Sequence, residues 1–167
     1  MSKNKKTFIL VTIIAVVAGL LLFWGSHAPA VSGKVSLLGE TSAVFGQAVQ
    51  EFDFGTISMA NGKVEHDFSF TNSGDSVVTV NRADTSCMCT EAVLNFGGKE
   101  FGPFGMAGMG FAPSINEVVP VGGEMNLRTI FDPAAHGPSG IGAIERQVTV
   151  YTDKGQFQVA FKALVTP

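Results

Sequence analysis

Thr85-Ser86-Cys87-Met88-Cys89-Thr90-Glu91 holds both cysteines of the chain. Two thiols one residue apart form a clip, a metal chelate or a redox pair. In an extended strand alternate side chains share a face, which would set Cys87 and Cys89 side by side with Cα atoms roughly 6.6 Å apart. That separation lies at the upper edge of the about 4.4–6.8 Å that a disulfide spans, so an S–S bond here demands a kinked backbone. Two thiolates on a metal accept the extended geometry more readily. Thiolate with thioether is the combination that selects Cu(I) over harder ions. Met106 and Met109, in Gly105-Met106-Ala107-Gly108-Met109-Gly110, are the candidates to close a shell around Cys87 and Cys89.

Each of these readings has a plainer competitor. Methionines flanked by glycine often just pack down as gap fillers. Zinc is less favoured than copper, because its recurring pattern spaces cysteines by two to four residues and adds a second ligand pair. Outside the cytoplasm thiols tend to be oxidised, which makes a Cys87–Cys89 disulfide the direct alternative to a metal site. A strained bond of that kind is labile, and a thiol-redox protein is then the alternative function. No helix N-terminus is expected near either cysteine to activate it. Free, unreactive thiols are the third possibility. His66 shares a face with Val64, Phe68 and Phe70 and reads as a core histidine, while His136 lies in a Gly/Pro loop from which it could reach a site, although a solvated loop histidine is the favoured reading. There is no Gly-x-Ser-x-Gly elbow, no His-Glu-x-x-His and no phosphate-cradling loop, so the expectation is a protein without catalytic residues.

The elements that must hold this site read as strands. Val64, His66, Phe68 and Phe70 alternate with Glu65, Asp67, Ser69 and Thr71, the pattern of a half-buried strand. The same period runs through Phe52 and Phe54, Val78 and Val80, Met125 to Phe131, and two stretches near 144–152 and 156–165, with the cysteine segment continuing as a strand through Ala92, Leu94 and Phe96. Asn61-Gly62, Asn72-Ser73-Gly74-Asp75 and Asp153-Lys154-Gly155 supply turns. Roughly seven short strands without a helical pattern predict an immunoglobulin-like β-sandwich. Six of the fourteen positions in 97–110 are glycine, and that stretch reads as a long loop. It would expose Phe101, Phe104, Met106, Met109 and Phe111 unless it folds back, and such an apolar patch marks a contact surface for a protein partner.

Residues 1–6 carry Lys3, Lys5 and Lys6, and residues 7–25 contain no charge. At about 1.5 Å per residue that run nearly crosses a ~30 Å hydrocarbon layer, and Trp24 falls where an interfacial aromatic belongs. The lysines place the N-terminus in the cytoplasm and the domain outside. A retained single-pass anchor is favoured over a signal cleaved after Ala30, since the apolar run exceeds the usual h-region. Residues 26–48 then form a tether with an edge strand, and 49–167 the domain. From Val31 onward eight Lys/Arg face fourteen Asp/Glu, an acidic balance that argues against nucleic acid as a partner.

Taken together, Phe52-Asp53-Phe54-Gly55-Thr56-Ile57, Val64-x-His66-x-Phe68-x-Phe70-x-Asn72-x-Gly74, Ser86-Cys87-x-Cys89-Thr90, Gly122-Gly123-Glu124 and Phe131-Asp132-Pro133 resemble the bacterial DUF1573 family. That family is related to the ASPM/SPD-2/Hydin and major-sperm-protein type immunoglobulin-like domains. The resemblance implies a seven-stranded sandwich in an exported location and implies no reaction. Met88 stands where the family usually has glycine, and 97–116 reads as an insertion. The expected protein is a membrane-tethered binding module that presents the Cys-x-Cys site and the inserted loop to an envelope protein or to Cu(I).

Overall fold

Alternating apolar and polar side chains bury one face of a strand and wet the other, and the computed structural model carries that pattern into two packed sheets. The structure describes Phe45, residues 50–109 and residues 113–167, all within the compact unit Ser36–Pro167. Its strands are β1 (Gln50–Ser58), β2 (Val64–Thr71), β3 (Val78–Thr85), β4 (Thr90–Phe96), β5 (Lys99–Phe104), β6 (Glu117–Val119), β7 (Glu124–Phe131), β8 (Gly142–Thr152) and β9 (Gly155–Thr166). One sheet runs β1-β9-β8-β3-β6 and the other β2-β7-β4-β5. Among the described residues no helix is long and apolar enough to cross a membrane; the segment 7–25 expected to do so lies outside them.

β2 and β7 pair antiparallel so that Phe68 faces Leu127 and Phe70 faces Met125, and these four are buried. Val80, Val148, Val150 and Val159 from the opposite sheet close over them, together with Leu94 and Phe104. Phe45, from the stretch expected to be tether, packs on Phe70 and Phe157 at 6.1 and 5.1 Å between ring centroids. A second, smaller cluster of Cys89, Phe131, Phe161 and Val165 lies beneath the cysteine pair. His66 is part of the apolar face, stacked on Phe52 at 3.5 Å.

Among the described residues nine strands replace the seven expected, and the two additions are β5 and β6. The glycines of 97–110 are the devices that make β5 possible. Gly97 and Gly98 adopt positive φ, 62° and 96°, and turn the chain so that β5 returns along β4. At Gly102, with φ 124°, a Cβ would lie 2.8 Å from the Ala92 carbonyl oxygen, so only glycine lets the strands approach where the register shifts.

Asn72 closes the other end of the sandwich. Its Nδ2 donates to the carbonyls of Ser76 and Val119 at 2.9 and 3.0 Å, and its Oδ1 accepts from Gly74 N at 3.1 Å. Asn72→Ala is expected to cost about 1–3 kcal/mol, because the buried carbonyl of Val119 loses its side-chain partner. Urea unfolding of the two proteins measures this, and an unchanged midpoint would refute it.

Candidate functional site

β3 ends at Thr85 and β4 begins at Thr90, so both cysteines sit in a turn between strands. This corrects the extended cysteine strand expected from the sequence. Thr90 N donates to Cys87 O at 3.1 Å, which closes the turn, and Thr85 Oγ1 donates to the same carbonyl at 2.9 Å. Ser86 is fastened to β8 twice: its N donates to Gln147 O at 2.9 Å, and its Oγ accepts from Gln147 N at 2.9 Å. The turn brings the two Cα atoms to 5.3 Å, and the sulfurs are joined in a disulfide. The kink that the spacing demands is supplied by ending one strand early and starting the next late.

The two sulfurs have different surroundings. Cys89 is 3% exposed among Phe131, Phe161 and Val165, and Arg146 Nε donates to its sulfur at 3.3 Å. Cys87 is only partly buried, and its sulfur lies 3.1 Å from Nε2 of the exposed His136, in a contact whose donor depends on the tautomer. His136 is carried by the loop between β7 and β8. That loop is tied to the cysteine turn where Asp132 N donates to Cys89 O at 2.9 Å. Asp132 Oδ1 is occupied by Ala134 N at 2.9 Å, and Ser139 Oγ holds the His136 carbonyl at 2.7 Å. The sulfurs of Cys87 and Cys89 and a ring nitrogen of His136 all lie within 4.8 Å of one another.

A methionine packs near the loop that carries His136. The Met59 methyl and His136 Cβ lie 3.3 and 3.4 Å from the point where a Cβ on Gly140 would be, and Met59 packs against the Cys89 cluster. Of the methionines singled out from the sequence, Met106 bridges backbone to Thr85, just ahead of the cysteine turn, and Met109 is 56% exposed. The inserted stretch folds back. Phe104 is fully buried in the main core and Phe101 packs on Phe96 with centroids 5.7 Å apart, so neither belongs to an exposed apolar patch. Phe111 lies outside the described residues.

Arg146 and Met59 were not legible as site residues. For Arg146 a signal exists: Ile144, Arg146, Val148 and Val150 share the inward face of β8, and a charge on such a face requires a partner. A buried charge, Asp84, sits on β3 and pairs with Arg82. That hydrogen bond raises the Arg82 pKa above its ordinary value, and the guanidinium also lies 3.8 Å over the Tyr151 ring. This pair reads as structural.

Residues 45–97 match the family described as "Protein of unknown function (DUF1573)". The matched part contains β1 to β4 and both cysteines, whereas His136 and Arg146 lie beyond it. No curated protein matches the chain. Among solved structures, a protein of unknown function from Porphyromonas gingivalis W83 is 14% identical, with TM-score 0.51 over 70% of this chain and 44% of that one. That likeness is one of fold. The secreted serine protease VesC from Vibrio cholerae has TM-score 0.48 at 12% identity over 76% of this chain and 25% of its own. The ASH/PapD-like domain of human CEP192 has TM-score 0.36 at 15% identity over 72% of this chain and 84% of that one. The chain thus spans less than half the length of the first two.

Proposed function

We propose that this chain is a non-catalytic, membrane-tethered module, exported on its segment 7–25, that holds Cu(I) at Cys87, Cys89 and His136 when its disulfide is reduced. The observation that carries the reading is the convergence of two sulfurs and one imidazole nitrogen from two separate turns on one point. First-row ions bind sulfur at about 2.3 Å and imidazole at about 2.0–2.1 Å, so donors around one ion lie within ~4 Å of each other. In the disulfide form the three donors already lie within 4.8 Å of one another, close to that spacing. The set contains two soft donors and no carboxylate, which favours Cu(I) over Mg, Ca or Mn. Met59, which packs against the Cys89 cluster with its methyl near the His136 loop, is the thioether we propose as a fourth donor. The thiolate is the form of cysteine that binds metal, so the disulfide must open first.

An envelope protein remains the alternative occupant of this end of the molecule. The burial of Phe104 and the packing of Phe101 weaken that alternative by removing two of the five apolar side chains that would recognise it.

The test is anaerobic Cu(I) titration of the reduced full-length chain in detergent against a chromophoric Cu(I) chelator. One Cu(I) per chain is expected, with complete loss in Cys87→Ser/Cys89→Ser. Failure of the reduced wild type to compete for the ion removes the proposal.

A further inference from the structure

We propose that the disulfide is the closed state of the site, and that a dithiol reductant opens it in one direction only, attacking Cys87 and expelling Cys89. The inference rests on the metal reading for its consequence but not for its chemistry, which the two sulfur environments carry on their own.

Thiol–disulfide exchange is decided by which sulfur can be reached and which sulfur leaves better. Cys89 is 3% exposed and walled by Phe131, Phe161 and Val165, so a nucleophile has no line of approach to it. Cys87 lies partly open beside the exposed His136. The leaving sulfur must take up negative charge, and Arg146 Nε already donates to Cys89 at 3.3 Å. A hydrogen bond from a guanidinium strengthens as its acceptor becomes an anion. Cys87 Sγ also has polar neighbours, the Cys89 N–H at 3.4 Å and a tautomer-dependent imidazole nitrogen at 3.1 Å. The permanent positive charge of Arg146 stabilises a departing thiolate more than a neutral donor does, so access and leaving-group stabilisation select the same direction.

In the first step a thiolate of the reductant bonds to Cys87 Sγ, the Cys87–Cys89 bond breaks, and its electron pair stays on Cys89 as a thiolate held by Arg146. The product is a mixed disulfide between the reductant and Cys87. In the second step the reductant's other thiol, its proton given to solvent, attacks its own partner sulfur and displaces Cys87 as a thiolate beside His136 Nε2. The reductant ends as a disulfide, having given two electrons; two protons go to solvent, and both cysteines are left in the form a soft metal takes. The partner is thus a protein or small molecule carrying two thiols that can close on each other as a disulfide. The site binds metal only after meeting it.

The experiment uses the oxidised, metal-free full-length chain. Exposure to excess 2-mercaptoethanol, acid quenching and peptide mapping by mass spectrometry should place the thiol adduct on Cys87 at least about tenfold more often than on Cys89, as exchange at the accessible sulfur requires. Reduction by dithiothreitol should slow by about tenfold in Arg146→Met, the loss of one charge-assisted hydrogen bond at the leaving sulfur, and recover in Arg146→Lys. Adduct on Cys89, an even split, or reduction rates indifferent to Arg146 would overturn the inference. The adduct map on wild type stands even if Arg146→Met does not fold. Exchange at Cys87 in a chain that ignores Cu(I) leaves the directional gate intact and removes the metal reading. Cu(I) binding by a chain that exchanges at Cys89 does the reverse.

Discussion

Phe104→Ala should destabilise the domain by about 3–5 kcal/mol, as truncation of a fully buried phenylalanine does when its surroundings cannot collapse. Phe104 ends β5, is fully buried, and lies opposite Ala92 across the β4–β5 pairing. It belongs to the cluster with Leu94, Leu127 and Val80, so both sheets line the resulting cavity. Rigid backbone surrounds it, since the turn at Gly97 and Gly98 and the close approach at Gly102 fix the strand that carries it. By contrast, Met109→Ala, at a residue 56% exposed, should stay within about 0.5 kcal/mol. Denaturant unfolding of both variants gives the comparison. Equal midpoints would mean that 99–104 belongs to the open loop that the glycine content of 97–110 suggests rather than to a strand of the sandwich.

That contrast shows where the sequence was readable. Periodicity located β2, β7, β8 and β9, because a strand buried on one face must alternate, and Phe68, Phe70, Met125 and Leu127 do so without interruption. Glycine was misleading in 97–110 because it has two meanings: it lowers strand propensity, yet it also permits the tight turn and the close strand contact that a hairpin with a register shift requires. The site was half legible. Cys87 and Cys89 are conspicuous from type and spacing alone, and the spacing correctly demanded a kink before any bond. His136, however, comes from a loop 49 residues away in the chain. Nothing local in His136-Gly137-Pro138 announces that the chain will return to the cysteine turn. The anchor of that return is a backbone hydrogen bond from Asp132 to Cys89, which leaves no mark on side-chain composition. Arg146 did leave one, as a charge on an otherwise apolar strand face, and reading it requires knowing that the adjacent turn presents a sulfur.

His136→Ala is expected to weaken Cu(I) binding by about 100-fold, the upper end of what even outer partners of a metal site contribute, while leaving stability within about 0.5 kcal/mol. The separation of the two effects follows from where the side chain sits. The imidazole is exposed and its contact is to Cys87 Sγ, whereas the loop is held through the backbone carbonyl of His136 by Ser139 and through Asp132 N by the cysteine turn. Removing the ring therefore deletes a donor without releasing the loop. His66→Ala provides the opposite control. It removes a ring stacked on Phe52 and edge-on to Phe68, so it should lower stability and leave Cu(I) affinity unchanged in the chain that remains folded. Chelator competition and thermal unfolding on the same preparations measure both quantities. If His136→Ala binds Cu(I) as tightly as wild type while the double cysteine variant binds none, the thiolates alone suffice or the third donor is a thioether. Met59→Leu in the His136→Ala background then decides: a further loss assigns the third donor to Met59, and no loss reduces the site to the two sulfurs.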